Sequence, residues 1–244
     1  MKMKNVAILV LGLLLSHNSF AQEKSNEFKF GLKGSMNIGW IAPNSKSVER
    51  VGTNIGFSYG PMADYYFKPN YAVSMELLIS QINGGIMINS DQIFLSDSTA
   101  TVVNGLTYTY KNQYVEIPLS LKFRTKEIGY MTYWANFGVA PAFLINAKAS
   151  ITGTLPTDIS LLDPTDYKTN DNEGDAFTTN NFDDQVFLAR VPLIIGGGIE
   201  YKMAGSTSIY AGVRFNNSFS DMFVKDKSIS AQNNYFSINA GVFF

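Results

Sequence analysis

The sequence has no cysteine and only one histidine, His17, among its 244 residues. The absence of cysteine excludes disulfide bonds, thiolate nucleophiles and a lipid anchor attached to a cysteine. His17 lies in a segment that we expect to be removed, so the mature chain lacks the histidine base on which most hydrolytic sites and many zinc sites depend. We therefore expect a protein that is not an enzyme and that requires no cofactor and no metal.

Residues 1–21 are predicted to be a secretory signal peptide. Two lysines precede a ten-residue apolar run from Val6 to Leu15, and the small residues Ser19 and Ala21 stand at positions −3 and −1 of the expected cleavage site. Residues 22–244 are then the mature chain, which we expect to form one domain.

The mature chain is also poor in net charge and in long apolar runs. Its 17 basic and 20 acidic residues give a net charge of −3, which offers no electrostatic basis for binding nucleic acid. No apolar run in it approaches the roughly 18–20 residues that a membrane-spanning helix needs. Because the sequence is nevertheless 45% hydrophobic and 14% aromatic, its apolar residues must be distributed in another pattern.

That pattern is alternation, in which apolar side chains occupy every second position. It predicts eight β-strands, since successive side chains of a strand point to opposite faces. The eight segments are Phe28–Trp40, Ile55–Phe67, Tyr71–Ile79, Val115–Phe123, Met131–Ala147, Val191–Tyr201, Ile209–Phe215 and Phe236–Phe244.

Charged residues are confined to the opposite faces of these strands. An apolar face without charge is what contact with lipid requires, and alternation of this kind is typical of outer-membrane barrels. The eleven charged residues are Lys29, Lys33, Asp64, Glu76, Glu116, Lys122, Arg124, Arg190, Glu200, Lys202 and Arg214.

The connections between the strands alternate between short and long. Residues 69–70, 125–129 and 204–206 form short links, whereas residues 42–52, 89–104, 151–181 and 224–232 form long polar ones. Short periplasmic turns and long external loops are typical of outer-membrane barrels. Because only a closed barrel satisfies every strand N–H and C=O group in hydrocarbon, we predict an all-β, eight-stranded, antiparallel, up-and-down transmembrane β-barrel in the outer membrane.

Eight strands enclose a space just wide enough for side chains to fill. The eleven charges would therefore form an ionic core, because unpaired buried charges are costly. We expect Glu76, Glu116 and Glu200 to pair with Lys122, Arg124, Arg190 or Arg214, which explains these carboxylates more simply than acid–base catalysis does. The core contains three more basic than acidic residues, so a narrow pore that prefers anions is an alternative.

The chain ends on an alternating apolar strand. This pattern resembles the C-terminal signal that the barrel-assembly machinery reads, so we expect that machinery and outer-membrane lipid as partners. The residues that carry the pattern are Phe236, Ile238, Ala240, Val242 and Phe244.

The segment 151–184 is the most acidic part of the chain, with eight acidic residues and one lysine. Residues 171–175 have a faint likeness to a calcium loop, but they lack its twelve-residue pattern. A solvated acidic loop is the favoured interpretation, and an adhesion or receptor surface formed by this loop is a further alternative.

Residues Gln113–Phe123 resemble the Y-[LV]-E-I-P-L-x-L-K strand of the PorT-type outer-membrane barrels of Bacteroidetes. The strand Tyr133–Ala147, the glycine-rich strand that ends at Tyr201, and Gly212–Phe215 follow in the order of that family. The resemblance implies an outer-membrane barrel and, through the founding member, a link to type IX protein secretion. It implies no catalytic residues. A structural or accessory barrel, a narrow solute pore and an adhesion barrel therefore remain as three hypotheses.

Overall fold

A computed structural model describes residues 27–46, 48–89, 92–96, 99–103, 105–152, 167–169, 176–179, 186–203, 205–223 and 230–244. The predicted signal peptide and all eight acidic residues of segment 151–184 lie outside these ranges. Within them every regular element is a β-strand. None of the described residues belongs to a helix that is long and apolar enough to cross a membrane.

The strands are numbered in chain order. Their bounds are β1 Glu27–Pro43, β2 Val48–Val51, β3 Asn54–Lys68, β4 Tyr71–Glu76, β5 Leu78–Ile88, β6 Gln92–Ser96, β7 Thr99–Val103, β8 Leu106–Glu116, β9 Leu119–Arg124, β10 Met131–Val139, β11 Ala142–Thr152, β12 Tyr167–Thr169, β13 Ala176–Thr179, β14 Ala189–Arg190, β15 Pro192–Lys202, β16 Ser208–Ser218 and β17 Ala231–Phe243.

Twelve of these strands build a closed barrel with eight wall segments, which we call staves. In chain order the staves are β1, β3, β4 with β5, β8 with β9, β10 with β11, β14 with β15, β16, and β17. All neighbouring staves are antiparallel, and β1 closes the ring by pairing with both β17 and β3. The predicted eight-stranded antiparallel barrel is therefore confirmed.

Short and long connections lie at opposite ends of this barrel, as predicted. The links Pro69–Asn70, 125–130 and 203–207 define the turn side, and the long connections define the loop side. Gly129 and Gly205 adopt φ angles of 66° and 64° in two of the tight turns. This left-handed conformation is open to glycine at little steric cost.

Four of the staves are interrupted near prolines. A proline has no N–H to give to the ladder, and Pro118, Pro141 and Pro192 stand at the breaks of their own staves. Pro61 instead lies within the unbroken β3, beside the break at Leu77 of the next stave. The proline carbonyls still accept bonds from neighbouring staves, so the wall remains continuous. The four bonds run from Leu77 N to Pro61 O (3.0 Å), Glu76 N to Pro118 O (3.0 Å), Ile117 N to Pro141 O (2.8 Å) and Ala140 N to Pro192 O (2.9 Å).

On the loop side β5 lies beneath the β1–β3 pair instead of beside it. The β3–β5 ladder has only two register pairs, Ser58 with Ser80 and Tyr59 with Ile79. Beyond them, a Cβ atom on inward-facing Gly39 would collide with the backbone oxygen of Asn83. Glycine is required where a second backbone approaches this closely. The overlap narrows the lumen on the loop side.

The fifth stave departs from the predicted parity. Its register against β8 shifts between Leu144 and Asn146, because a β-bulge places an extra residue in β11. Ala147 consequently faces inward and is fully buried. The prediction that every odd residue from Met131 to Ala147 faces outward was therefore wrong beyond the bulge.

Candidate functional site: the barrel interior

The outer face of the barrel is apolar, and its exposed side chains include Phe30, Phe57, Leu121 and Val213. Aromatic side chains gather at its turn-side edge, where Tyr71 packs against both Phe67 and Phe123. An apolar band edged by aromatic rings is what the hydrocarbon core and its interface demand of a barrel. The polar side chains must accordingly be accommodated inside.

The centre of the lumen holds one carboxylate and two cations. Arg214 of β16 donates to both oxygens of Glu76 of β4, at 2.5 and 2.9 Å. Lys33 of β1 donates to the same carboxylate at 2.9 Å. All three residues are at most 4% exposed. This cluster, which we call the central triad, carries one surplus positive charge.

Toward the turn side the lumen holds a second group of charges. Lys122 donates to Asp64 at 2.5 Å, and Ser74 donates to the same carboxylate at 2.6 Å. Glu200 accepts from Lys29 and lies 3.9 Å from Lys122. These two cations and two carboxylates balance each other.

A third group lies toward the loop side, around a fully buried carboxylate. Glu116 accepts from Arg190 at 3.1 Å, from Ser80 at 2.6 Å and from Tyr235 at 2.8 Å. The guanidinium group of Arg190 also lies 5.0 Å from the ring centre of Tyr114. Each oxygen of Glu116 therefore has a partner.

The remaining two predicted members of the ionic core lie at the turn-side end of the barrel. Arg124 donates to Glu27 at 2.9 Å and lies over the ring of Tyr66 at 3.7 Å. Lys202 lies 3.5 Å from the carboxylate of Glu127, and its side chain is 55% exposed. The prediction was wrong for Lys202 because this last residue of β15 lies past the enclosed part of the lumen.

Aromatic side chains also fill the interior. Lys122 lies 4.8 Å from the ring centre of Phe243 and 5.4 Å from those of Trp134 and Tyr210. The alternation placed Trp134, Tyr210 and Tyr235 on inward faces, but it gave no sign that they surround the buried cations. A cation over an aromatic face is attracted by the ring quadrupole.

The loop side of the lumen is closed by an apolar cluster that we call the loop-side cap. Val186 and Met222, which come from two long connections, pack there against residues of the wall. The two connections are joined by a hydrogen bond from Phe187 N to Met222 O at 2.8 Å. Wall residues of the cap are Ile41, Ile86, Ile88, Leu106, Tyr108, Tyr110, Ala147, Ala149 and Ala231, and Val48 of β2 joins them.

At the turn side the lumen widens into a polar basin of about 430 Å³. Arg124, Thr132 and Ser208 contribute to its wall, and Lys29 and Glu200 also line it. Among the described residues there is no cluster of three or more His, Cys, Asp or Glu side chains that could hold a metal ion. The geometry of the interior is that of a packed polar core.

The predicted C-terminal signal lies on the outer face of β17 and continues past its end. Ile238 and Phe244 are 47% and 59% exposed, and Ala240 is also exposed. The backbone N–H of Phe244 donates to the carbonyl of Phe30 at 2.7 Å, which ties the chain terminus to β1. Recognition of this strand by the assembly machinery stays a prediction.

A closed antiparallel barrel with an apolar exterior and an ionic interior defines the class of small outer-membrane barrels. Residues 20–224 match the outer membrane protein beta-barrel domain family, and the chain belongs to that family. It is an integral protein of the outer membrane. No curated protein has a sequence that matches this chain.

Solved structures with a similar fold share little sequence with this chain. Neisserial surface protein A is 13% identical, with a TM-score of 0.46 over 91% of this chain and 98% of that protein. OprG from Pseudomonas aeruginosa is 8% identical, with a TM-score of 0.47 over 90% and 97%. Ail of Yersinia pestis is 12% identical, with a TM-score of 0.38 over 91% and 100%.

Proposed function

We propose that the protein is a non-catalytic structural or accessory barrel of the outer membrane whose lumen conducts no solute. The observation that carries this proposal is the ion pair between Glu76 and Arg214. It joins β4 to β16, which are four staves apart in a ring of eight and therefore face each other across the lumen. A wall-to-wall ion pair occupies the path that a solute would take.

Two further features support a closed lumen. The loop-side cap excludes water from one end, because Ile41, Ile86 and Leu106 are completely buried there. In the centre and toward the turn side, Asp64, Glu76 and Glu200 are each held by at least one cation. The surplus charge of the central triad is the one feature that favours the alternative, a pore that prefers anions.

Planar-bilayer recordings of the refolded protein distinguish these two functions. We expect no steady single-channel conductance when heat-modifiable gel mobility shows that the inserted protein is folded. The matched comparison is Arg214→Ser, which removes the guanidinium group from the lumen. A steady conductance in the unmodified protein would contradict the proposal, and an anion preference that Arg214→Ser abolishes would establish the pore.

A link to type IX secretion is the more specific part of the proposal. It is supported by the PorT-type resemblance of Gln113–Phe123. In the structure Glu116, Pro118, Ser120 and Lys122 of this stretch are buried inside the barrel. The alternate residues Leu119 and Leu121 lie on the outer face. The resemblance thus involves the interior and the lipid-facing surface of this stave.

Deletion of the gene followed by an assay of secreted proteins tests this link. We expect the extracellular level of type IX cargo to fall and to recover when the wild-type gene is returned. A variant that cannot assemble, Leu119→Arg, should fail to restore secretion. Unchanged secretion in the deletion strain would remove the type IX link and would leave the closed-barrel proposal intact.

A further inference from the structure

Two small cavities inside the barrel are lined by residues whose buried polar atoms have no hydrogen-bond partner among the residues that the structure describes. One lies in the turn-side half, next to Trp134 and Asn136, and the other lies beneath the loop-side cap, next to Arg190 and Asn233. Each offers about 10 Å³ to the centre of a water-sized sphere. That is about the space which a single water molecule needs.

Two residues that line the turn-side cavity have one unpartnered donor and one unpartnered acceptor between them. Nε1 of Trp134 and Oδ1 of Asn136 are both unpartnered, and the two residues are only 5% and 4% exposed. The amide of Asn136 is oriented by its other end, because Nδ2 donates to Ser120 at 3.1 Å. A buried polar group without a hydrogen-bond partner destabilises the folded state, so two such groups at one cavity demand a partner.

The loop-side cavity repeats this arrangement with different residues. Arg190 uses Nη1 for the carbonyl of Asn233 and Nη2 for Glu116, and its Nε remains unpartnered. Both polar atoms of the Asn233 side chain are unpartnered as well. Arg190 and Asn233 are 5% and 2% exposed.

The charges around the cavities favour a neutral ligand over an ion. Asp64 and Glu76 border the turn-side cavity together with Lys122. Asp221 borders the loop-side cavity together with Arg190. An anion would be repelled by the carboxylates and a cation by the basic groups. Water can both donate and accept, and buried water usually makes about three hydrogen bonds to otherwise unsatisfied groups.

We propose that each cavity binds one internal water molecule as a permanent part of the folded barrel. In the turn-side cavity the water accepts from Trp134 Nε1 and donates to Asn136 Oδ1, which leaves its second O–H for a bordering carboxylate. In the loop-side cavity the water accepts from Arg190 Nε or Asn233 Nδ2 and donates to Asn233 Oδ1. The two waters thereby supply hydrogen-bond partners to buried polar atoms of the residues that line these cavities.

Nuclear Overhauser spectroscopy of the refolded protein in micelles tests the turn-side site. The chain has two tryptophans, so Trp134→Phe assigns the indole N–H signals. We expect the Trp134 indole proton to show a cross-peak at the water frequency, with opposite signs in laboratory-frame and rotating-frame spectra, because the water is long-lived. Asn136→Leu, which removes the acceptor and fills the cavity, should abolish this cross-peak.

A matched control separates loss of the site from general loosening of the core. Asn112→Leu replaces another fully buried asparagine that borders neither cavity, and it should leave the cross-peak unchanged. The Nε proton of Arg190 should also show a cross-peak at the water frequency, and Asn233→Leu should abolish it. Absence of both cross-peaks in the wild-type protein would overturn the proposal, and persistence in Asn136→Leu would overturn the assigned turn-side site.

A crystal structure of the unmodified protein provides a test that does not depend on a variant folding. At a resolution that shows ordered solvent, we expect one density peak in each cavity within hydrogen-bond distance of the named atoms. Cavities without density would contradict the proposal. An anomalous signal from bromide in either cavity of a bromide-soaked crystal would show that the cavity binds an anion instead of water.

Discussion

Arg214 binds Glu76 through two hydrogen bonds, and the two residues belong to staves on opposite sides of the barrel. Lys33 binds the same carboxylate from a third stave. The bidentate geometry between a guanidinium and a carboxylate is the strongest form of such a pair. The central triad therefore fixes three staves relative to one another. It also buries three charged groups in the lumen, and substitutions can change the balance between them.

Removal of the shared carboxylate should cost more than removal of the surplus cation. Glu76→Gln leaves two buried cations without a counter-ion, and we expect a loss of about 3–5 kcal/mol in the free energy of unfolding. Lys33→Met leaves the bidentate pair with Arg214 intact, so its loss should be clearly smaller. Urea unfolding of the refolded barrel in lipid vesicles measures both values. Equal losses would show that charge balance does not govern the triad.

The register of the fourth stave predicts different effects at adjacent positions. Leu119 is 41% exposed on the outer face, whereas Ser120 is buried and accepts a hydrogen bond from Asn136. Leu119→Arg places a charge in lipid, which costs about 2–4 kcal/mol near the midplane, and should reduce membrane assembly. Ser120→Arg should instead crowd the ionic core. Heat-modifiable mobility of outer-membrane fractions reports assembly, and equal insertion of both variants would contradict the assigned faces.

Two glycines of β1 should respond differently to an added methyl group. A Cβ on Gly39 would collide with the backbone oxygen of Asn83, whereas a Cβ on Gly34 would meet no atom within 4 Å. Because an overpacked site costs about 1–3 kcal/mol, Gly39→Ala should lower the urea midpoint and Gly34→Ala should not. Similar midpoints for the two variants would show that β5 does not lie beneath β1.

An engineered disulfide should detect closure of the barrel. Ser35 of β1 and Asn239 of β17 are register partners, and their side chains are hydrogen-bonded at 2.7 Å. Since the native chain has no cysteine, Ser35→Cys with Asn239→Cys should form one unambiguous bond on oxidation. Non-reducing gels of the denatured protein report it. Ser35→Cys with Ser208→Cys is the unpaired control, and cross-linking of the control alone would refute this pairing.

The alternation of the sequence was sufficient to predict which side chains face lipid and which face inward. This holds because successive side chains of a strand point to opposite faces, so the side chains that alternate with the apolar ones must face inward. Lys33, Glu76 and Arg214 were placed inside on this basis. Ala147 was misplaced because a β-bulge changes parity without leaving a clear mark in the pattern, and Lys202 because alternation does not report where the enclosed lumen ends.

The sequence by itself therefore determined the membrane environment, the number of staves and the inward position of most charges, since each depends on local periodicity and on the lengths of the connections. Only the tertiary structure decided that Arg214 binds Glu76, that Arg190 binds Glu116 and that β5 lies beneath β1. Those contacts depend on the relative displacement of staves around a closed ring, and this displacement is a property of the whole barrel. Closure brings together hydrogen-bonded side chains that are as many as 204 positions apart, which no local pattern encodes.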